Sequence, residues 1–219
     1  MRLTPLILDF DSTLVQHETL DVLGSYLMDQ GRLSVETTQT LSLLTTRAMA
    51  GDLSFSQALQ QRLALLSFTR KDLAVVTQSL ALAITPSFLA HQHWLALNAE
   101  DIYIVSGGFL DVIRPIATKL GLRPDHIFAN TLIFDAHDQF VAVDDTQPLA
   151  HEQGKANVVS RLGLSQLPLV IGDGATDAEI REAGFASAFY LFTENVFREN
   201  LLARADKVIA SFDAFLYSS

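Results

Sequence analysis

Three short stretches of this 219-residue chain hold residue types able to act together on a ligand. They are Asp9-Phe10-Asp11-Ser12-Thr13, then Ser106-Gly107-Gly108, then Gly172-Asp173-Gly174-Ala175-Thr176-Asp177. Each follows a brief apolar run: Leu6-Ile7-Leu8, Ile102-Tyr103-Ile104-Val105 and Leu169-Val170-Ile171. Runs of that kind read as buried strands of a parallel sheet. In an open α/β sheet, ligands bind outside the carboxyl ends of the strands, near the point where strand order reverses. Carboxylates from separate strands then meet at one edge, and extended geometry puts Asp9 and Asp11 on the same side of the chain. An oxygen-rich cluster of this make-up suits Mg²⁺, which takes a few carboxylates, water and a substrate phosphate.

Taken singly, each piece has an ordinary reading. A DxD pair after a strand is a common turn, and Asp173-Gly174 is another. Thr176 and Glu179 fit a T-x-x-E capping box, so Thr176 or Asp177 could simply start a helix. Ser106-Gly107-Gly108 alone is a loop more often than a phosphate cradle. It is their joint order, each at a strand end, that points to chemistry. Lys155 adds an independent signal. It follows Gly154 at the start of a helix, where the macrodipole disfavours a cation by about 0.3–1 kcal/mol. A nearby anion would offset that penalty.

The elements that must position these residues alternate. Further strands are expected near Ile127–Ala129, Ala188–Leu191 and Val208–Ile209, with helices at Leu110–Leu120, Ala156–Leu162 and Asp177–Ala183. Such alternation predicts an α/β fold: an open, mostly parallel, Rossmann-like sheet with crossover helices. Leu132–Phe134 and Phe140–Val143, joined by Asp135–Gln139, predict a small β-hairpin. Residues 16–83 carry only helical periodicity, at Thr19–Met28, Val35–Met49, Phe55–Leu66 and Asp72–Leu82. The expected organisation is a core domain of residues 1–15 and 84–219, with an inserted helical cap domain of residues 16–83.

Composition narrows the function classes. With 49% hydrophobic and 18% charged residues the chain is built to fold around a core. No apolar run approaches the roughly 18 residues needed to span a bilayer. Asp9 interrupts the first apolar run too early for a signal peptide, and a cytoplasmic location without membrane contact is expected. The absence of cysteine excludes thiolate nucleophiles and Cys-based metal sites. A net charge of −10 with scattered basic residues argues against nucleic-acid binding. That charge also repels anions, so a phosphate site must supply its own local positive charge.

Asp9-Phe10-Asp11-Ser12-Thr13-Leu14, Ser106, Lys155 and Gly172-Asp173-Gly174-Ala175-Thr176-Asp177 together resemble the haloacid dehalogenase-like hydrolase superfamily. Within it the chain is similar to the phosphoserine phosphatase family. Ser106-Gly107-Gly108-Phe109, Phe128-Ala129-Asn130, the Arg47-Ala48-Met49 helix end, Arg62 downstream of it and the spacing of Glu18 from Asp9 carry that likeness. The resemblance implies an Mg²⁺-dependent phosphomonoesterase of serine biosynthesis that hydrolyses O-phospho-L-serine. Asp9 would attack phosphorus and become an aspartyl-phosphate, and Asp11 would act as acid and then as base. Asp9, Asp173 and the main-chain carbonyl of Asp11 would hold the metal, with Asp177 supporting them from behind. Ser106, the Gly107 N–H, Lys155 and Thr176 would grip the phosphoryl oxygens.

Substrate choice is expected in the helical insert. Arg62 falls on the apolar stripe Phe55, Leu59, Leu66 of its helix, where a charge needs a partner. It either snorkels from the stripe edge or meets a substrate carboxylate bidentately. Glu18 would take the substrate ammonium, or merely favour a helix N-terminus, and Met49 and Phe55 would wall the site. Alternatives are a phosphatase or phosphotransferase for another small phosphate ester, and a phospho-acceptor signalling module. The second aspartate at Asp11 speaks against the last. Monomer and homodimer both remain open, and His17, His91, His93 and Trp94 receive no role.

Overall fold

The computed structural model describes residues 4–50 and 52–217. Strand β1 (Leu6–Leu8) leads into one wide turn of π type at Phe10–Leu14. Four helices follow: α1 (Thr19–Asp29), α2 (Val35–Ala50), α3 (Phe55–Ala64) and α4 (Arg70–Leu82). Short helices α5 (Pro86–Ala90) and α6 (Gln92–Leu97) precede β2 (Ile102–Phe109), α7 (Leu110–Lys119) and β3 (Ile127–Asn130). The hairpin β4 (Leu132–Phe134) and β5 (Phe140–Val143) comes next, then α8 (Gly154–Val159), β6 (Leu169–Gly172) and α9 (Ala175–Glu182). The chain closes with β7 (Ala188–Phe192), β8 (Lys207–Ile209) and α10 (Phe212–Leu216). No helix among the described residues is long and apolar enough to cross a membrane.

Six strands form one parallel sheet in the order β3-β2-β1-β6-β7-β8, and β4 and β5 pair antiparallel by themselves. β1 therefore lies at the centre, with Leu6 beside both Ile102 and Leu169. Its side chains alternate between faces: Leu6 and Leu8 join one apolar cluster, Ile7 the other. Strand order reverses between β1 and β6. That places the ends of these two strands side by side at the crevice where such sheets bind ligands.

Helices α1–α4 pack into the same apolar cluster as one face of the sheet, through Leu23, Leu59, Leu73 and Val76 among others. The chain enters and leaves this insert along adjacent paths, with Gln16 N–H bonded to Ala83 O and Thr85 N–H to Leu14 O. A second attachment is aromatic. Phe68, between α3 and α4, stacks on Phe140 of the hairpin at 4.6 Å and meets Phe134 edge-on. The Phe140 N–H bonds to Phe68 O, and Arg70 N–H to Asp138 O.

Several boundaries differ from the sequence expectation. α4 begins at Arg70 rather than Asp72 because Thr69 and Asp72 cap each other, Thr69 Oγ1 accepting the Asp72 N–H at 3.1 Å and Asp72 Oδ2 the Thr69 N–H at 2.8 Å. α3 stops at Ala64, short of Leu66, as Leu65 and Leu66 bond back three residues and tighten the last turn. β2 runs on to Phe109, so Ser106-Gly107-Gly108 lies within the strand's own end. α5 and α6 were not anticipated, since five or six residues are too few to show a helical period.

Candidate active site

Asp9 is the first residue past β1, and its N–H extends the ladder to Ile171 O. Asp173 is the first residue past the neighbouring β6. Asp177 reaches the same point from the first turn of α9. Carboxylate oxygens of Asp9, Asp173 and Asp177 all lie within 4.8 Å of one another, and all three side chains are buried. Lys155, only 5% exposed, extends its Nζ from α8 between Asp9 Oδ1 (2.9 Å) and Asp177 Oδ1 (2.8 Å). Burial works against its charge, but Asp177 and Asp9 outweigh burial and hold the ammonium well above its ordinary pKa. The Phe10 N–H also bonds to Asp9 Oδ1, leaving Oδ2 unengaged among the described residues.

The capping of α9 departs from the expected pairing of Thr176 with Glu179. Gly174 is the N-cap, and its N–H bonds to Asp177 Oδ2 at 3.0 Å. Asp177 is therefore both helix cap and partner of Lys155, and it sits inside the acidic cluster rather than only behind it. Burial first, then the charge of Asp9, raises its carboxyl to about 8. Asp173 is also raised, by burial above all.

Asp9 and Asp11 each have extended backbone, and the chain turns at Ser12, whose φ of +55° is left-handed. Phe10 is fully buried while Asp9 and Asp11 both line the cavity, so the two aspartates share one side. The turn is held by side chains. Asp11 Oδ1 accepts the Thr19 N–H (3.1 Å) and hydroxyl (2.6 Å). Ser12 Oγ donates to Glu18 Oε1 at 2.7 Å, and Thr13 Oγ1 to Asp173 Oδ1 at 3.1 Å. Burial, and next the charge of Glu18, pushes Asp11 well above the usual carboxylate range. Burial and then Asp173 raise Glu18 to about 7.

A cavity of about 270 Å³ joins this acidic edge to the insert. Ser106, Gly107, Lys155 and Thr176 line its floor with Asp9 and Asp11, and Glu18, Phe55 and Arg62 line its upper part. Phe55 rests on Gly107 so closely that a Cβ there would lie 2.5 Å from the ring and displace it. Arg62 is 9% exposed. One guanidinium nitrogen bonds to Asp21 Oδ1 at 3.0 Å, while its Nε is buried without a partner. The Met49 side chain lies outside the described residues. Of the other predicted site residues, Asp9, Asp11, Glu18, Phe55, Arg62, Ser106, Gly107, Lys155 and Thr176 line this cavity, while Asp173 and Asp177 meet Asp9 beside it without lining it.

Comparison with known proteins gives this geometry a context. The haloacid dehalogenase-like hydrolase signature matches residues 6–180. The chloroplastic phosphoserine phosphatase of Arabidopsis thaliana is 32% identical over 213 residues, covering 96% of this chain and 70% of that one. The chain belongs to the haloacid dehalogenase-like hydrolases, in the phosphoserine phosphatase family. Two solved structures share the fold of this family member. A phosphoserine phosphohydrolase-like protein from Francisella tularensis subsp. tularensis SCHU S4 superposes with a TM-score of 0.87 at 26% identity, over 98% of both chains. A phospho-aspartyl intermediate analogue of phosphoserine phosphatase superposes with a TM-score of 0.81 at 25% identity, over 100% of this chain and 99% of that one.

Sequence reasoning about this family member missed Arg198 and Asn195 at the site and gave Asn130, noted only for its likeness, no role. Arg198 places Nε (3.0 Å) and Nη2 (2.7 Å) on Asp173 Oδ2 and comes within 3.7 Å of Glu18. Asn195 donates to Ser12 O, Thr13 O and Thr85 Oγ1, bracing the left-handed turn. Asn130 Nδ2 bonds to Gly107 O and Leu149 O, tying the floor to the loop before α8. Arg198 and Asn195 follow β7, where no motif advertises them. Of the residues left without a role, His91 pairs with Asp213 at 2.8 Å, and Trp94 meets the rings of Phe212 and Phe215 edge-on. They pack α10 against the core. His17 is exposed and lines no part of the cavity.

The crowding of carboxylates has a thermodynamic consequence. Glu18 and Asp177 bind protons more tightly folded than at their ordinary values of 4.5 and 3.8. The folded state therefore holds more protons than the unfolded one, and stability falls as pH rises from about 4 through about 8. Metal-free protein is expected to lose several degrees of Tm between pH 5 and pH 8, each kcal/mol being worth about 2–4 °C at this size. A melting temperature flat across that window contradicts the assignment.

Proposed function

We propose that this enzyme hydrolyses O-phospho-L-serine to serine and phosphate by way of a phospho-aspartate on Asp9. The observation behind this reading is the cavity itself. Its floor combines a free carboxylate oxygen with phosphate-gripping groups, and its upper part holds a guanidinium and a carboxylate, complementary to an amino acid. Asp9 Oδ2 attacks phosphorus while the ester oxygen departs, taking a proton from Asp11, whose pKa is raised by burial and then by the charge of Glu18. Thr19 holds Asp11 Oδ1, which leaves the proton to the other oxygen. Asp11 then accepts a proton from the water that cleaves the phospho-aspartate. Ser106, the Gly107 N–H, Lys155 and Thr176 bind the phosphoryl oxygens.

The donor set fits a hard divalent cation. Seven carboxylates, those of Asp9, Asp11, Glu18, Glu152, Asp173, Asp177 and Glu179, line the cavity or belong to the acidic cluster beside it, against four cations, Lys155, Arg62, Arg198 and Arg204. Two like charges 4 Å apart repel by about 4 kcal/mol at an effective dielectric of 20, so the cluster is short of positive charge. Asp9 and Asp173, with Asp177 close by and the Asp11 carbonyl as a further candidate, would hold Mg²⁺. When bound it would neutralise charge on the transferring phosphoryl group. Added Mg²⁺ is expected to raise Tm more at pH 8 than at pH 5, because it competes with protons for the same oxygens.

Residues 1–15 and 84–219 are the catalytic core in this reading, and 16–83 a cap that selects substrate. Arg62 would meet the substrate carboxylate, Glu18 its ammonium, and Met49 and Phe55 would wall the space. The net charge of −10 supports a small-molecule substrate over nucleic acid. The reading extends to a cytoplasmic monomer or homodimer. The deciding experiment is phosphate release from a panel of small phosphate esters, with and without Mg²⁺. Preferred release from O-phospho-L-serine is expected, and a phosphorylated acceptor in place of free phosphate would mark a transferase. Arg62→Met should weaken turnover of phosphoserine by roughly 10–150-fold, the equivalent of one charged hydrogen bond. An aryl phosphate, lacking the carboxylate, should suffer less; equal losses would remove Arg62 from recognition.

A further inference from the structure

We propose that Glu152 is a positioning residue, whose carboxylate clasps the first turn of α3 and holds the insert over the cavity while the ester is bound. Glu152 lies on the core, three residues before Lys155. Its Oε1 accepts the Ser56 N–H at 2.8 Å and the Ser56 hydroxyl at 2.6 Å, across 96 residues of sequence. The next residue back, Phe55, is the ring that rests on Gly107. Clasp and aromatic wall are thus neighbours in the chain, and Glu152 and Phe55 both line the cavity.

The insert's attachments differ in kind. Away from the cavity mouth, Phe68 is buried against the hairpin, and the paired chains at Gln16 and Ala83 fix the base. Apolar contacts of that sort are lost to water at full cost. At the mouth the tie is polar and exposed, so water can replace each bond at little net cost. The anionic side chain is well suited to a helix start, whose N–H groups and dipole favour negative charge. Burial opposes that charge, yet the bonds from Ser56 keep the Glu152 carboxyl below its ordinary pKa. The side of the insert bearing Phe55 can therefore release and re-engage while the Phe68 side stays seated. Affinity for the ester then scales with the fraction of molecules in which the clasp is made.

The test compares wild type, Glu152→Ala and Glu152→Gln in steady-state turnover of O-phospho-L-serine and in amide hydrogen exchange across residues 55–57. Glu152→Ala is expected to raise KM about 5–20-fold with kcat within about twofold of wild type, since only the closed fraction changes. Glu152→Gln should restore KM, as an amide oxygen accepts the same two bonds. Exchange at Ser56 should quicken in Glu152→Ala and return in Glu152→Gln. An unchanged KM in Glu152→Ala overturns the proposal, as does a fall in kcat at constant KM. Should Glu152→Ala not fold, Ser56→Ala removes the hydroxyl bond alone; a smaller rise in KM supports the clasp, and none overturns it. The kinetic readout rests on the phosphoserine reading. Wild type inactive on that ester would defeat the reading, and the exchange comparison would then decide the clasp on its own.

Discussion

Asp9→Asn is expected to abolish turnover while leaving the protein folded. The amide is isosteric and its oxygen can still accept from Lys155 Nζ and the Phe10 N–H, the two bonds made by Oδ1. What disappears is the nucleophilic second oxygen, and with it the covalent route. The loss in kcat should reach at least about 10⁴-fold, as for removal of a nucleophile in other covalent enzymes. Stability should hold or rise, because one negative charge leaves a crowded cluster in which the charge of Asp9, after burial, raises the Asp177 carboxyl. The measurement is phosphate release by purified, Mg²⁺-replete Asp9→Asn, alongside its thermal melt. Retained turnover in a variant shown by mass spectrometry to be free of deamidation would rule out the phospho-aspartate.

Lys155→Met should damage both activity and stability. Lys155 lies between Asp9 and Asp177 with almost no access to water. Removing one partner of a buried ion pair leaves the other uncompensated and costs about 3–5 kcal/mol. At about 2–4 °C per kcal/mol for a chain of this size, Tm should fall by roughly 6–20 °C at neutral pH. Because Lys155 has its pKa raised by folding, its contribution is complete below the unfolded value of about 10.4 and is lost only as pH rises past the higher folded one. The wild-type benefit of the lysine is thus present throughout the practical range. The deficit in Lys155→Met should shrink as pH falls below about 8, where Asp177 takes up a proton and no longer needs a counter-charge. Turnover should drop by about 10³-fold or more, as one preorganised charge on the transferring group is lost. A variant with wild-type melting and turnover would show that neither carboxylate depends on Lys155.

Much of this was written in local patterns. Three apolar runs, each ending in small or acidic residues, announce parallel strands and the edge at which they end, because both signals are local and a two-sided buried strand admits little else. The same holds for Lys155, whose unfavourable place at a helix start already asks for an anion. The hairpin was equally plain from its two short runs and the polar turn between them. Residues 16–83 showed their helices by period alone, with errors confined to ends set by capping and last-turn hydrogen bonds at Thr69 and Leu65.

Other features needed the folded chain. Arg198 and Asn195 reach the site from a loop after β7, 25 residues in sequence from Asp173 and 183 from Ser12 respectively, so no spacing rule could place them. Asp177 caps its own helix and completes the acidic cluster at once, a double role visible only when α9 and β1 lie side by side. The contact of Ser56 with Glu152, and the closeness of Phe55 to Gly107, depend on how the insert settles on the sheet. Residue types and their order determined which chemistry was available, since reactivity resides in single side chains. Tertiary structure alone decided their charge states and partners, since burial and proximity are properties of the packed chain.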